Sequence, residues 1–277
     1  MNTDMWEQSA VQRNWREVLT NRRYHDAAPG AGMLACDRVG AGRMAEPSEI
    51  VSQIESLLYT KGDRDLAGLR VLVSAGGTRE HLDPVRFIGN PATGKMGIAV
   101  ARAAMHRGAI VTLVHSITGD VPLPGVRSIA IASAEEMRLA MLECFRDADL
   151  TVMAAAVADV RPAEYHSEKL PKRSLPNSLP LAPVADILAE LGTLKKSHQK
   201  LIGFAAQTGD IVKPALEKLR VKKLDVIAAN PIDKTGAGFG SDTNQAILIN
   251  SKGKQLEIAP CSKLEMAHRL LDFVMER

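Results

Sequence analysis

The sequence predicts an α/β protein: a Rossmann-like, doubly wound, mostly parallel sheet with a C-terminal β-hairpin and a mobile lid loop. Two observations carry this. Beyond residue 65, short apolar runs alternate with amphipathic stretches of helical period, and the runs are apolar throughout, as strands covered on both faces are. Such alternation builds crossover units, whose ligands sit beyond the carboxyl ends of the strands.

The runs Arg70–Ala75, Ile110–Val114, Ser128–Ala132, Leu150–Ala156, Leu201–Ala205 and Asp225–Ala229 read as strands. Helices fall over Met96–His106, Ser133–Ala148, Asp210–Val221 and Ser262–Glu276, and the second opens on a capping box of Ser133 and Glu136. Gln245–Asn250 and Gln255–Ile258 flank a Gly-containing turn and predict the hairpin. Arg161–Pro183 is Pro-rich, basic and aperiodic, which predicts the lid loop hanging off the end of the fourth strand.

Before residue 65 there is little core. Gly and Pro cluster over Ala27–Gly42, and the charged Lys61–Asp65 stretch marks a boundary, so the chain reads as a fragment (residues 1–65) and a domain (residues 66–277). Within the fragment Ile50, Ile54, Leu57 and Leu58 recur at helical spacing behind Pro47, and a second helix is read over Trp6–Leu19.

Composition narrows the function. The 277 residues are 45% hydrophobic and 24% charged, a globular rather than a disordered balance. A formal net charge of only +3 leaves anion binding to local placement of Lys and Arg, and nucleic acid is not an expected partner. Cys36, Cys144 and Cys261 are widely spaced, without a C-x-x-C pair, which argues against a disulfide framework and a zinc site. No apolar run approaches the roughly 20 residues that span a bilayer, and Met1–Arg16 is polar. The expectation is a cytoplasmic protein without a membrane partner.

Chemistry concentrates at the strand ends. Gly76 and Gly77 follow the first strand and would let a ligand approach the backbone, although a tight turn alone reads as well. Gly89, Gly94 and Lys95 nearly spell a P-loop, with Gly97 one step on, but Met96 stands where a magnesium-binding hydroxyl is needed. A phosphate cradle of another kind, on a helix N-terminus, is the better reading. Met153, Ala154 and Ala155 offer a surface on which a base or ribose can lie, with Asp159 just beyond. Close helix packing is the commoner reason for such alanines, and Asp159 also fits the second acidic motif of a P-loop enzyme.

Lys169, Lys172 and Arg173 in the basic loop can close on a triphosphate. Lys218 and Lys222 share a helix face, more often a solvated one. Seven histidines show no metal-ligand spacing, and no nucleophile–base pair is evident, so covalent catalysis by the protein is not expected.

Together the blocks Ser74–Glu80, Asp83–Asn90, Thr93–Gly97, Ala155–Asp159, Gly203–Thr208 and Gly238–Asp242 are similar in order and spacing to the phosphopantothenate–cysteine ligase domain of bacterial bifunctional coenzyme A biosynthesis proteins. The resemblance covers residues 67–277. It implies that the carboxylate of 4′-phosphopantothenate attacks the α-phosphate of CTP to give an acyl-cytidylate, from which cysteine displaces CMP. It further implies Mg2+ on the triphosphate and a homodimer.

By the same resemblance Asn90 handles the acyl-cytidylate, Lys169 contacts nucleotide phosphate, and Arg86 lies on the acid-binding side. Asp159, Phe204, Lys218 and Lys222 match nucleotide-contacting positions, as do Met153–Ala155 and a turn of Ala185, Asp186, Ile187 and Leu188. The family's Lys-Ile-Lys-Lys loop reads Lys169-Leu170-Pro171-Lys172, Ala92 replaces a common Ser, and Pro231 stands where an Asp often follows Asn230.

Asn2–Trp6, Val11–Asn14 and Gly32–Cys36 resemble the end of the partner decarboxylase, which makes Asn2 and Cys36 relics of a flavoprotein domain mostly absent here. Neither FMN binding nor decarboxylation is expected of this chain alone. Two other classes are weighed: a non-catalytic nucleotide-binding relic, and a nicotinamide-dependent reductase, for which Gly76–Glu80 lacks the G-x-G-x-x-G spacing.

Overall fold

A computed structural model describes every residue except 22, 118–122, 176, 232–239 and 277. The chain divides into two units, Met1–Arg64 and Asp65–Arg277.

In the smaller unit Asn2 caps α1 (Thr3–Trp6), its side chain accepting from the Met5 N–H at 2.8 Å. Trp6 meets Trp15 of α2 (Ser9–Thr20) edge to face, with ring centroids 5.2 Å apart. The Gly-rich stretch is not merely irregular: β1 (Gly30–Met33) and β2 (Val39–Arg43) form an antiparallel hairpin, with Asp37 in the turn at φ 59°. α3 (Pro47–Thr60) starts on its proline as the sequence predicts, but its burial is inverted. Ser52 and Ser56 are buried while Val51, Ile54 and Leu58 are exposed.

The larger unit has the predicted fold class. Its eight-stranded sheet takes in β3 (Arg70–Ala75), β6 (Ile110–His115), β7 (Arg127–Ala130), β8 (Leu150–Met153), β11 (Lys200–Gln207) and β12 (Val226–Pro231), which run parallel. The hairpin β13 (Thr243–Asn250) and β14 (Gln255–Ser262) adds antiparallel to β12, so the order is β14-β13-β12-β11-β8-β3-β6-β7. The chain winds outward from β3 to β7, then restarts at β8 on the other side of β3. That reversal opens a crevice at the carboxyl ends of β3 and β8.

Successive residues of a strand face opposite ways. Val71 and Val73 therefore join the layer under α4 (Lys95–His106) and α8 (Lys263–Val274), whereas Leu72 joins the layer under α5 (Ala134–Phe145), α6 (Ile187–Leu194) and α7 (Val212–Val221). The capping box predicted at Ser133 and Glu136 is present in both directions. At the end of α4, Arg107 is 1% exposed, pairs with Asp65 and with Asp272 (2.8 Å), and donates to the His268 carbonyl at 3.2 Å.

Several expectations change. The strand predicted over Leu150–Ala156 stops at Met153, because Ser74 Oγ takes the Ala155 N–H (3.1 Å) in place of a ladder carbonyl, leaving one isolated bridge, Gly77 to Ala156. β7 is a largely exposed edge strand, not a buried one, since it has a neighbour on one side only. The basic loop is not free of secondary structure: β9 (Val160–Pro162) and β10 (Leu181–Pro183) pair antiparallel at its base, and Lys172–Ser174 form a 3-10 turn. Ala185–Leu188 is no turn but the entry to α6, with Asp186 as the N-cap. A second ribbon, β4 (Arg79–His81) with β5 (Phe87–Gly89), precedes Asn90.

Candidate active site

A cleft of about 570 Å³ lies at the crevice where the strand order reverses. Its floor is the segment Ala154–Ala158, which continues from β8 without side chains larger than Val157. Two buried hydroxyls hold this floor from below. Ser74 Oγ accepts from the Ala155 N–H and Thr78 Oγ1 from the Ala158 N–H (2.9 Å), while the Ala156 N–H reaches the Gly76 carbonyl at 2.8 Å. The small residues thus leave backbone and methyl groups as the surface a flat ligand would meet.

Asn90 stands at the rim, where its side-chain amide donates to the carbonyls of Ala156 and Val157, both at 3.3 Å. Gly94, in the left-handed region at φ 79°, turns the chain into α4 and caps it without any side-chain bond, which leaves the helix N-terminus at the cleft wall.

Each end of the cleft carries a lysine pair tempered by a carboxylate. At one end Lys222 Nζ grips Asp186 at 2.7 and 3.0 Å, and Lys218 faces Asp186 and Asp159. Burial and Lys222 lower the Lys218 pKa, while burial of Asp186 is outweighed by the two lysines and the Ala189 N–H, which hold its carboxyl low. At the other end Lys95 Nζ donates to Asp242 (2.6 Å) and the Gly240 carbonyl (3.0 Å), beside Lys263, whose pKa burial and Lys95 push down.

Most predicted positions converge here. Asn90, Gly94 and Lys95 line the cleft, as do Met153, Ala154, Ala155 and Asp159. The Ala185, Asp186, Ile187 and Leu188 segment and Phe204 form its far wall, with Lys218 and Lys222 behind. Gly76, Gly77 and Gly97 do not reach it. They are packing glycines: a Cβ would come within 2.4 Å of Ser116 Oγ at Gly76, 2.5 Å of the Asn90 carbonyl at Gly77 and 2.5 Å of Ala75 Cβ at Gly97.

Arg86 and Lys169 also lie outside the lining, Arg86 paired with Asp83 at 2.7 Å and Lys169 exposed on the basic loop. Asn2 and Cys36 meet in the smaller unit, around a separate cavity of about 450 Å³ that Arg43 also lines. The Gly238–Asp242 block is described only from Gly240 onward; residues 238 and 239 lie outside the described residues.

The sequence reading missed Lys263, Asn230 and Asn244. Lys263 had a local signal, standing directly after the Ser262 N-cap at a helix start. The two asparagines had none, because only the parallel-to-antiparallel switch in the sheet brings β12 and β13 to the same rim.

Among the described residues, the cleft lining holds no Ser, Cys or His. A close Ser–His contact elsewhere, His115 Nε2 to Ser128 Oγ at 2.8 Å, has the wrong polarity for activating the serine: His115 Nδ1 accepts from the Ile117 N–H, so Nε2 carries the proton and donates. Among the described residues no group of three or more His, Cys, Asp or Glu is placed to hold a metal ion, and no helix is long and apolar enough to cross a membrane.

A doubly wound sheet with a backbone-floored, lysine-ended cleft at its switch point defines a class of α/β protein whose ligand site lies beyond the carboxyl ends of the strands. Within that class, residues 66–277 match the DNA/pantothenate metabolism flavoprotein C-terminal domain, and the chain belongs to that family. The coenzyme A biosynthesis bifunctional protein CoaBC of Bacillus subtilis (strain 168) is 41% identical over 272 residues, covering 98% of this chain and 66% of that protein. A cysteine/cysteine sulfinic acid decarboxylase from an unknown prokaryotic organism is 43% identical over 256 residues, covering 90% of this chain and 70% of that one. The chain thus spans about two thirds of these relatives. The crystal structure of the C-terminal domain of a CoaBC protein superposes with a TM-score of 0.64 at 34% identity, covering 76% of this chain and 96% of that domain.

Proposed function

We propose that the larger unit joins 4′-phosphopantothenate to cysteine, activating the acid with CTP. The observation that carries this reading is the cleft itself: Asn90, the Ala154–Ala158 floor and both lysine pairs come together within a unit that matches this family over its whole length. The first step forms a bond between the substrate carboxylate and the α-phosphorus, with pyrophosphate leaving. In the second, the cysteine amine attacks the activated carbonyl, and CMP leaves with the bonding pair.

Neither step needs a protein nucleophile. What it needs is alignment and charge stabilisation, which a helix N-terminus, fixed amides and cations supply. Base recognition falls to the floor and Phe204, phosphate recognition to the lysines, and carbonyl polarisation in the second step to Asn90. Magnesium would neutralise triphosphate charge; it keeps several waters and asks for only one or two carboxylates, and Asp159 at the cleft fits that demand. Asn2 and Cys36 of the smaller unit are read as remnants of a decarboxylase domain, and no FMN-dependent reaction is assigned to this chain.

The test is pyrophosphate release from purified protein with phosphopantothenate, magnesium and either CTP or ATP, followed by cysteine. CTP-dependent release and then the coupled product support the reading. Binding of CTP without release from folded protein would replace it with a non-catalytic role.

A further inference from the structure

The carboxylate of Asp83 is fully buried, yet it belongs to the turn Leu82–Arg86 between β4 and β5, outside the cleft lining. Its Oδ1 accepts from the N–H groups of Val85 and Arg86, both at 2.8 Å, which fixes the turn. Its Oδ2 accepts from Arg86 Nη1 at 2.7 Å and from the N–H of Leu170 at 3.2 Å, 87 residues on. Arg86 Nη1 also donates to the Leu170 carbonyl at 3.1 Å. One residue of the basic loop is therefore clasped on both sides, the N–H of the Lys169–Leu170 peptide by a carboxylate and the C=O of the Leu170–Pro171 peptide by a guanidinium. A second tie runs to the same turn, from the His166 N–H to the Leu82 carbonyl at 2.9 Å.

Leu170 directly follows Lys169, and the turn leads through β5 to Asn90. We propose that Asp83 is a positioning residue: with Arg86 it clamps Leu170, and so sets where Lys169 stands relative to Asn90. The assignment rests on the reading of Lys169 as the phosphate-contacting lysine of the first step. Without the clamp, the Pro-rich segment between β9 and β10 has to be ordered anew in each turnover, and orientation lost this way appears in the rate rather than in affinity. Burial alone would raise the Asp83 pKa, but the three backbone N–H groups and Arg86 win and hold it low, so the clamp is ionised at neutral pH.

Two experiments separate the clamp from the reading beneath it. Trypsin cuts after Lys169 only when the Lys169–Leu170 bond can leave its clasp. Asp83→Asn, which faces an amide toward Arg86 or the Leu170 N–H, and Asp83→Ala, which removes both acceptor oxygens, each should speed this cut about tenfold, the loss expected for a charge-assisted hydrogen bond. An unchanged cutting rate in either folded variant overturns the clamp, whatever Lys169 does.

The second experiment is a cycle on single-turnover pyrophosphate release at saturating substrates. Asp83→Asn should lower the rate about tenfold in the natural background and not at all in a Lys169→Gln background. Losses that multiply would make Asp83 merely structural and overturn the positioning role. A Lys169→Gln variant with full activity would instead overturn the reading of Lys169.

Discussion

The side-chain amide of Asn90 donates to two consecutive carbonyls of the cleft floor, those of Ala156 and Val157, each at 3.3 Å. An aspartate at this position would bring a carboxylate oxygen against the same two carbonyls, which repel it, so the group swings away from the floor. Asn90→Asp should therefore leave acyl-cytidylate formation largely intact and cut its onward reaction with cysteine by about 10²-fold, the scale of losing one oxyanion donor. Rapid-quench measurement of pyrophosphate and CMP in parallel checks this; equal loss of both signals would contradict the assigned role.

On the proposed reading, Lys169 serves the earlier of the two steps. Lys169→Gln keeps the length of the side chain and removes the charge, so pyrophosphate release should slow by about 10 to 10²-fold while the fate of preformed acyl-cytidylate stays unchanged. Feeding the intermediate to the variant together with cysteine separates the two.

Gly97 tests the packing behind the cleft. Alanine is the better helix former by about 1 kcal/mol, yet at Gly97 its Cβ would lie 2.5 Å from Ala75 Cβ and 2.8 Å from the Ser74 carbonyl. Overpacking wins, and Gly97→Ala should destabilise the unit by about 1–3 kcal/mol in urea unfolding. A more stable variant would show that α4 can back away from β3 at little cost.

His268 sets the acid limit. Burial and Arg107 lower its pKa from 6.5 to about 4, with Asp272 and Asp65 opposing. His106 is likewise lowered to about 4 by burial, Arg102 and His268. Both stay neutral in the fold while the unfolded chain takes up protons near 6.5, so stability is complete above that pH and drains away as pH falls toward 4. The slope reaches up to about 1.4 kcal/mol per pH unit for each histidine. His268→Gln should flatten the unfolding free energy across that window, and an unchanged slope would place the proton uptake elsewhere.

The sheet was legible because Val71, Val73, Leu113 and their neighbours are apolar without alternation, and that pattern has few readings. The hairpin and the capped helix α5 were legible through short-range rules at Gly253 and Ser133. The early end of β8 was not, because it depends on a hydroxyl 81 residues away, Ser74, intercepting the Ala155 N–H. Nor was the ribbon β9–β10, whose strands are three residues each and hold two prolines. In the site, glycines misled for a related reason: Gly76, Gly77 and Gly97 admit the chain's own atoms, and a sequence does not say which neighbour a missing side chain makes room for.

The floor of the cleft bears on drug design. A competitive inhibitor that lies on Ala154–Ala158 touches main chain and methyl groups, and no side-chain swap at the contact can withdraw an interaction made by a peptide bond. Resistance by substitution there has to come from added bulk, which would also shut out the nucleotide proposed to lie on this floor. The route left open runs beneath, through Ser74 and Thr78, where a change of hydroxyl would shift the floor without appearing among the residues an inhibitor touches.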